Sequence, residues 1–526
     1  MDIRQQVPTE TAPDPSPGRA PRAPGRAWAA ASVAGAAAAA LAFWVMPVDP
    51  PPSTVVEGDP ALAARTGEAI AGRENHVQAF SVAEATPDGL AVAAAGAAGG
   101  EPVGADTPFE TGSVFKLFTA MTLADMVEHG EADLDTTLGE VFTDLDFADP
   151  DTAGITLEEL ATHRSGLPTA PAGHETAVLL SGLSALDPFS GLPSVPDSLA
   201  VASPSPRRGE WSYSNFGYAA LGEALARVDG TPYPELVRER VLDPLGMDDT
   251  VIVGADTGPG EAPEGAALPH YEAGSRAQTW DGPAYAPAGV GTWTTTADLV
   301  RFAQAVMAGT APGMSALEPR HDVDGLGRIG LGWYLAELDG GGTRALHDGG
   351  TYGSTAFLAV EEERAVVMLS NTRAGVAPQL TSALLDDPSA VEPPSMALGR
   401  GTGLAVTLPF LVLPVLLSLA LAVGRVTLAG RRPLDRLRLL SMPLGAFAVL
   451  LAGLRWGSWA TTPPLLWPVA VGLVATAAAV GAWYWTRVPA IRARWRPLRL
   501  AAFALSVTAS AALVALSVWT LALSNG

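Results

Sequence analysis

Cysteine is absent from all 526 residues. That removes disulfides, lipoprotein anchoring and thiolate metal sites, and says nothing about the redox compartment. Lysine is almost absent too: the 32 basic residues are 31 arginines and Lys116. The chain also lacks a Gly-x-Ser-x-Gly elbow and a His-Glu-x-x-His zinc helix; His174-Glu175 has no second histidine four residues on. The seven histidines (76, 129, 163, 174, 270, 321 and 347) are scattered without metal-ligand spacing, so no metal or organic cofactor is expected. Positive charge is scarce in the middle of the chain. Residues 27–399 carry 16 bases against 51 acids, a net charge of −35, which should repel nucleic acid and anionic lipid.

Lys116 lies three residues after Ser113. Arginine keeps its proton at any workable pH, whereas a desolvated lysine can lose it. The only lysine is therefore expected to do chemistry that arginine cannot. Residues i and i+3 share a helix face, so the Lys116 amine can reach the Ser113 hydroxyl. That is the Ser-x-x-Lys arrangement, a weak nucleophile beside a group able to take its proton. The pattern alone is common, and a capped helix with a solvated lysine would also produce it.

A chain of this length calls for two or more domains. Residues 1–26 read as a disordered cytoplasmic tail. Residues 27–48 are an uncharged, alanine-rich run long enough to span a bilayer, preceded by Arg19, Arg22 and Arg26. This run is read as a retained anchor, with a cleaved signal segment as the alternative. A linker at 49–59 leads to a soluble domain at 60–385, expected outside the cytoplasm, and a second linker covers 386–402. Four apolar runs follow within 403–526, at about 403–424, 439–457, 465–486 and 500–522. Two of their links hold five arginines each, and with the first run entering from outside, both clusters fall in the cytoplasm. Apart from Arg455 near an interface, no ionisable residue sits mid-span, which argues against a transport pathway. An integral membrane anchor, or a bundle docking a membrane-protein partner, is expected.

Within 60–385, strand patterns at Gln78–Ala85 and Leu90–Ala95 flank Pro87-Asp88-Gly89, a hairpin signal. Helical spacing begins at Ser113 and ends near Gly130, and recurs at Phe216–Val228 and Thr296–Met307. Residues 170–206, rich in Pro, Ser and Gly, read as a long loop or lid. Strands are expected at Ala345–His347, Thr355–Val360 and Ala365–Ser370. Together these give a mixed α/β domain whose sheet is formed by both ends of the segment.

Two further clusters suit Ser113. In Tyr213-Ser214-Asn215, a phenol beside a lysine can relay a proton, and an amide can hold a substrate carbonyl. In His347-Asp348-Gly349-Gly350, a strand followed by glycines permits close backbone approach and leaves amides free as oxyanion donors.

These segments, with Leu160-Ala161-Thr162-His163-Arg164-Ser165-Gly166-Leu167-Pro168, Pro244-Leu245-Gly246-Met247 and Pro287-Ala288-Gly289-Val290-Gly291, occur in one order across about 60–385. In that order the chain resembles the serine β-lactamase and penicillin-binding-protein superfamily, in its class C β-lactamase-like, esterase and D-aminopeptidase branch. The resemblance implies a β-lactamase/transpeptidase-like domain, an antiparallel sheet flanked by helices plus a helical subdomain. It implies Ser113 as acylated nucleophile, Lys116 as proton acceptor and Tyr213 as companion base and acid. Asn215 and His347 would lie at the substrate, with Gly349 and Gly350 at the oxyanion site formed by the Ser113 and Gly350 amides. His163 and Met247 are read as packing and turn residues. Whether Lys116 or Tyr213 is the base stays open at this point.

The third motif departs from the family's Lys-Thr-Gly. His347 removes a fixed cation, and Asp348 is expected to place an acid where a β-lactam or D-Ala-D-Ala carboxylate would be held. The expected function is a membrane-bound, extracytoplasmic serine hydrolase acting on an ester or amide, a D-amino-acid peptide or a β-lactam included. A slowly acylating wall-fragment or β-lactam sensor is the alternative.

Overall fold

The computed structural model describes residues 25–46, 55–386, 400–422, 435–491 and 495–525, except positions 88, 185, 259, 273, 374 and 460. Most of the expected N-terminal tail and both linkers lie outside the described residues, as do Asp88 of the hairpin and several arginines of the two basic links. The chain separates into two compact units, one built from the apolar helices and one from the sheet domain.

The sheet domain is organised on a ten-stranded sheet. Its strands are β1 (Glu57–Gly58), β2 (Ala79–Thr86), β3 (Gly89–Ala98), β4 (Glu101–Pro102), β5 (His321–Val323), β6 (Gly327–Ile329), β7 (Tyr334–Glu337), β8 (Thr343–Gly350), β9 (Thr355–Val360) and β10 (Ala365–Ser370). The spatial order is β1-β3-β2-β10-β9-β8-β7-β6-β5, with β4 against β3. Every pairing is antiparallel. The N-terminal hairpin meets the C-terminal strands where Phe80 pairs with Ser370 and Ala85 with Ala365.

Alternation along the strands explains why the sheet is covered on both faces. On β10, Ala365, Val367 and Leu369 enter one core, while Val366 and Met368 enter the other. The smaller core is closed by helices α1 (Pro60–Ala69) and, at the far end of the sheet domain's sequence, Ala377–Leu385, through Leu62, Leu380 and Leu384. The larger core receives α2 (Lys116–Glu128), α4 (Asn215–Asp229) and α5 (Thr296–Met307), while of the segment that follows α3 (Glu175–Ser184) it receives Phe189. Burying a Leu or Phe side chain stabilises by roughly 1.5–3 kcal/mol, so these two layers hold the sheet rigid behind the site.

Helix α2 is unusual because every residue from Lys116 to Met126 is buried. A helix apolar on all sides sits inside its domain. Its first residue, Lys116, is drawn into the core with it.

Two expectations need correction. The 170–206 segment is not structureless: it contains α3 and a second helix, Val195–Val201, capped by the Ser194 hydroxyl accepting from the Asp197 N–H. Leu186, Asp187 and Phe189 between them are buried. The glycines after His347 do not follow the strand but complete it, Gly349 pairing with Ala356 and Gly350 with Thr355.

The other unit consists of apolar helices. Among the described residues, five helices are long and apolar enough to cross a membrane: Ala27–Trp44, Gly403–Ala422, Arg436–Trp456, Leu466–Trp483 and Arg496–Leu523. The first and fourth cross closely, since a Cβ on Gly35 would meet the Thr476 hydroxyl at 1.9 Å and the Gly472 carbonyl at 2.6 Å.

Candidate active site

Ser113 lies in a 3-10 turn, Gly112–Phe115, and α2 begins only at Lys116. The helix therefore starts three residues later than expected. In a 3-10 turn residues i and i+3 eclipse, so Lys116 is stacked directly over Ser113. Its Nζ lies 2.9 Å from Ser113 Oγ, 2.8 Å from Asn215 Oδ1 and 2.6 Å from the Ala288 carbonyl oxygen. The Tyr213 hydroxyl donates a short hydrogen bond to Ser113 Oγ. The structure thus brings Ser113, Lys116, Tyr213 and Asn215 into one contact set.

Each member is placed by local structure. Ser214 caps α4, its hydroxyl accepting from the Gly217 N–H at 2.8 Å and donating to the Pro168 carbonyl at 2.7 Å. That fixes Tyr213 just outside the helix and Asn215 as its first residue. His163, in the left-handed region at φ 57°, braces both flanks of Tyr213. Its carbonyl accepts from the Ser212 N–H at 2.7 Å, and its Nδ1 accepts from the Ser214 N–H at 3.2 Å. Its ring lies 4.4 Å from the Tyr213 ring.

Strand β8 closes the opposite wall. A Cβ on Gly349 would lie 2.4 Å from the Thr111 carbonyl oxygen and 2.9 Å from Ser113 N, so only glycine lets the strand touch the turn. A Cβ on Gly112 would meet Gly350 N at 2.4 Å. These approaches bring Gly349 and Gly350 against the turn that carries Ser113.

Electrostatics follow from burial. Lys116 is fully buried, and desolvation pushes its pKa well below the ordinary lysine value, partly offset by the charge of Asp348. A neutral amine has two hydrogens and one lone pair. In that form Asn215 Oδ1 and the Ala288 carbonyl would accept the hydrogens, and the lone pair would be left for the Ser113 hydroxyl. Burial pushes the Tyr213 phenol well above its usual range, so it is an un-ionised donor.

His347 is buried, and desolvation lowers its pKa to about 4, so the imidazole is neutral. Its Nδ1 is 2.5 Å from the Asp348 carbonyl, its ring is 5.1 Å from that of Tyr334, and Nε2 has no partner among the described residues. No hydrogen bond joins it to Ser113 or Lys116. Asp348 is exposed on β8 between the buried His347 and Gly349. Its charge bears on the site, favouring the charged form of Lys116 and opposing ionisation of Tyr213.

Three contributors were not assigned a role from sequence. The Ala288 acceptor is a backbone carbonyl, invisible in residue types. His163 was read as packing, yet its placement beside Tyr213 in the fold gives it a bracing role. Glu110, three residues before Ser113, is a fully buried carboxyl whose identity gave no hint of burial. Among the described residues, no cluster of three His, Asp or Glu side chains is placed to hold a metal.

Comparison with known proteins gives a consistent answer. Residues 61–387 match the family model for beta-lactamase. Penicillin-binding protein 4 of Amycolatopsis lactamdurans is 30% identical over 304 residues, covering 53% of this chain and 75% of its own length. Esterase EstB of Burkholderia gladioli is 28% identical over 339 residues, 55% of this chain and 83% of the esterase. A class C beta lactamase from Rhodobacter sphaeroides superposes with a TM-score of 0.51 at 19% identity, covering 62% of this chain and 99% of that one. At that identity it speaks to fold alone. With most of the sheet domain matched, its antiparallel sheet and helices in the same arrangement, the chain belongs to the beta-lactamase family.

Proposed function

We propose that this protein is a membrane-tethered serine hydrolase that cleaves an ester or amide through an acyl-Ser113 intermediate. One observation carries the reading. The sole lysine is buried, desolvation pushes its pKa down, and its Nζ lies 2.9 Å from the serine hydroxyl oxygen.

The proton accounting runs through three side chains. Lys116 takes the Ser113 proton as Oγ bonds to the acyl carbon, and the resulting oxyanion sits between the Ser113 and Gly350 N–H groups. The bond to the leaving group breaks as Tyr213 gives that group its proton. The phenolate regains a proton from the Lys116 ammonium, which restores the starting charges. In deacylation, water attacks the acyl carbon and loses its proton to Lys116. Ser113 Oγ departs and takes that proton back. Lys116 is the base in this scheme because burial favours its neutral form and disfavours a tyrosinate.

Substrate preference follows from the third motif. A neutral His347 replaces a fixed cation, so a neutral acyl end suits this cleft better than a substrate with a free carboxylate. The names of the relatives, a penicillin-binding protein and an esterase, bracket the same range.

The five apolar helices support an integral membrane protein, and the arginine distribution supports a sheet domain outside the cytoplasm. The close crossing at Gly35 and Gly472 supports a first helix that is retained as a member of the bundle. An N-terminal epitope tag should then remain on the full-length membrane protein. Gly35→Ile, which forces a side chain into the Gly472 backbone, should lower its recovery from membranes. Loss of the tag during export would exclude the retained helix.

The catalytic reading is tested with fluorophosphonate and fluorescent penicillin probes on wild type and Ser113→Ala. Labelling by fluorophosphonate that disappears in the variant, with steady-state ester turnover, is expected. Labelling of Ser113 with no turnover would identify a sensor instead, and equal labelling of the variant would remove Ser113 from the chemistry.

A further inference from the structure

We propose that Glu110 is a positioning residue that fixes the spacing of the two oxyanion donors, tying the strand before Ser113 to the turn after Gly350. This rests on the serine-hydrolase reading above and adds to it a residue that touches no reacting atom.

Glu110 lies in the short strand Phe109–Glu110, paired with Thr292–Thr294 and three residues before Ser113. It is 2% exposed. Oε2 accepts from the Thr351 hydroxyl at 2.5 Å and the Ser354 hydroxyl at 3.0 Å, and Oε1 accepts from the Trp280 N–H at 3.2 Å. Thr351 directly follows Gly350. Its hydroxyl oxygen accepts from the Gly353 and Ser354 N–H groups at 3.1 and 3.0 Å, and its own N–H reaches the Ser354 carbonyl at 3.1 Å. With both lone pairs engaged, that hydroxyl has only its hydrogen to offer, and Glu110 takes it. One carboxyl therefore joins three segments: the Ser113 approach, the Gly350 turn and the extended segment at Trp280.

The choice of residue is informative. All three partners of Glu110 are neutral donors. The charged group bearing on it is Asp187, another acid, itself occupied by the Phe189 and Asp281 N–H groups at 2.8 and 2.9 Å. A buried carboxyl without a cation is costly, and burial raises Glu110 to about 7. A packing role would be met more cheaply by an apolar side chain. A carboxylate alone supplies acceptors at both oxygens. Glutamine cannot, because its amide nitrogen would face either the Trp280 N–H or the filled Thr351 oxygen.

The test uses the full-length detergent-solubilised protein and p-nitrophenyl butyrate. Glu110→Gln should lower kcat by about 10–100-fold near pH 8, less than outright loss of a donor, with KM within about threefold. Glutamine resembles the protonated acid, so the ratio of wild type to variant should shrink as pH falls through about 7. Thr351→Val cuts the same tie from the other side and serves if the first variant does not fold. Thr351→Ser should restore activity, and in the double variant the two losses should not multiply. Variants within threefold of wild type, a ratio flat from about pH 6 to 9, or multiplying losses would each overturn the role of Glu110. If wild type turns over and Ser113→Ala does not, those results remove Glu110 alone. If wild type neither hydrolyses nor labels, the hydrolase reading falls and this inference falls with it.

Discussion

Lys116→Arg should abolish practical turnover, lowering kcat/KM for p-nitrophenyl butyrate by ~10²–10⁴-fold, although it keeps a cationic side chain at the position. A guanidinium does not give up its proton at workable pH, so no lone pair would face Ser113. Lys116→Met should fall as far, which would mean that the missing base, not the missing charge, is responsible. Activity of the wild type should decline as pH falls through the lowered lysine pKa, since protonation consumes the base. The stability consequence has a definite sign. The folded pKa is depressed, so below the unfolded value of about 10.4 the unfolded chain binds the extra proton. The stabilising contribution is fully present above that value and is lost as pH falls through the folded pKa. Wild type should therefore gain stability over Lys116→Met with rising pH, by up to about 1.4 kcal/mol per pH unit, in chemical denaturation between about pH 8 and 10. An arginine variant retaining a tenth of the activity would end the assignment of Lys116 as base.

The same residue illustrates what the sequence makes legible. A single lysine spaced three residues from a serine is visible in the letters, and so is the helical spacing of α2, though not its burial on every side. What the letters do not carry is which partners take the amine's hydrogens. Asn215 is 99 residues away, and the Ala288 acceptor is a carbonyl that any residue would provide. Strands β9 and β10 stand where their unbroken apolar runs predict, Thr355–Val360 and Ala365–Ser370, because both faces are buried and no turn residue interrupts them. The 170–206 segment was misjudged for the converse reason. Its Pro, Ser and Gly content hid two helices, although Ser194-Val195-Pro196-Asp197 already held a capping serine and a proline in the first turn. Glu110 was opaque because acids are expected at the surface, and only the fold brings Thr351 and Ser354 to it.

Gly349→Ala should cost ~10²–10³ in kcat, the loss expected when an oxyanion donor is misplaced. The added methyl would meet backbone atoms only, the Thr111 carbonyl at 2.4 Å, Val114 N at 2.7 Å and Ser113 N at 2.9 Å. None of these can rotate aside, so β8 or the nucleophile turn must move. The β8 register leaves the strand little freedom, since Gly349 is locked between His347, paired with Leu358, and Gly350, paired with Thr355. The displacement therefore falls on the gap between the Ser113 and Gly350 amides, the proposed oxyanion donors. Gly340→Ala is the matched control, because nothing lies within 4 Å of its Cβ position. It should leave kcat within about twofold, as surface changes generally do. Ester turnover with fluorophosphonate labelling rates separates the outcomes. Slow labelling with slow turnover places the damage at the oxyanion site. Full activity in Gly349→Ala would mean that the strand and the turn are not held in the contact on which this site depends.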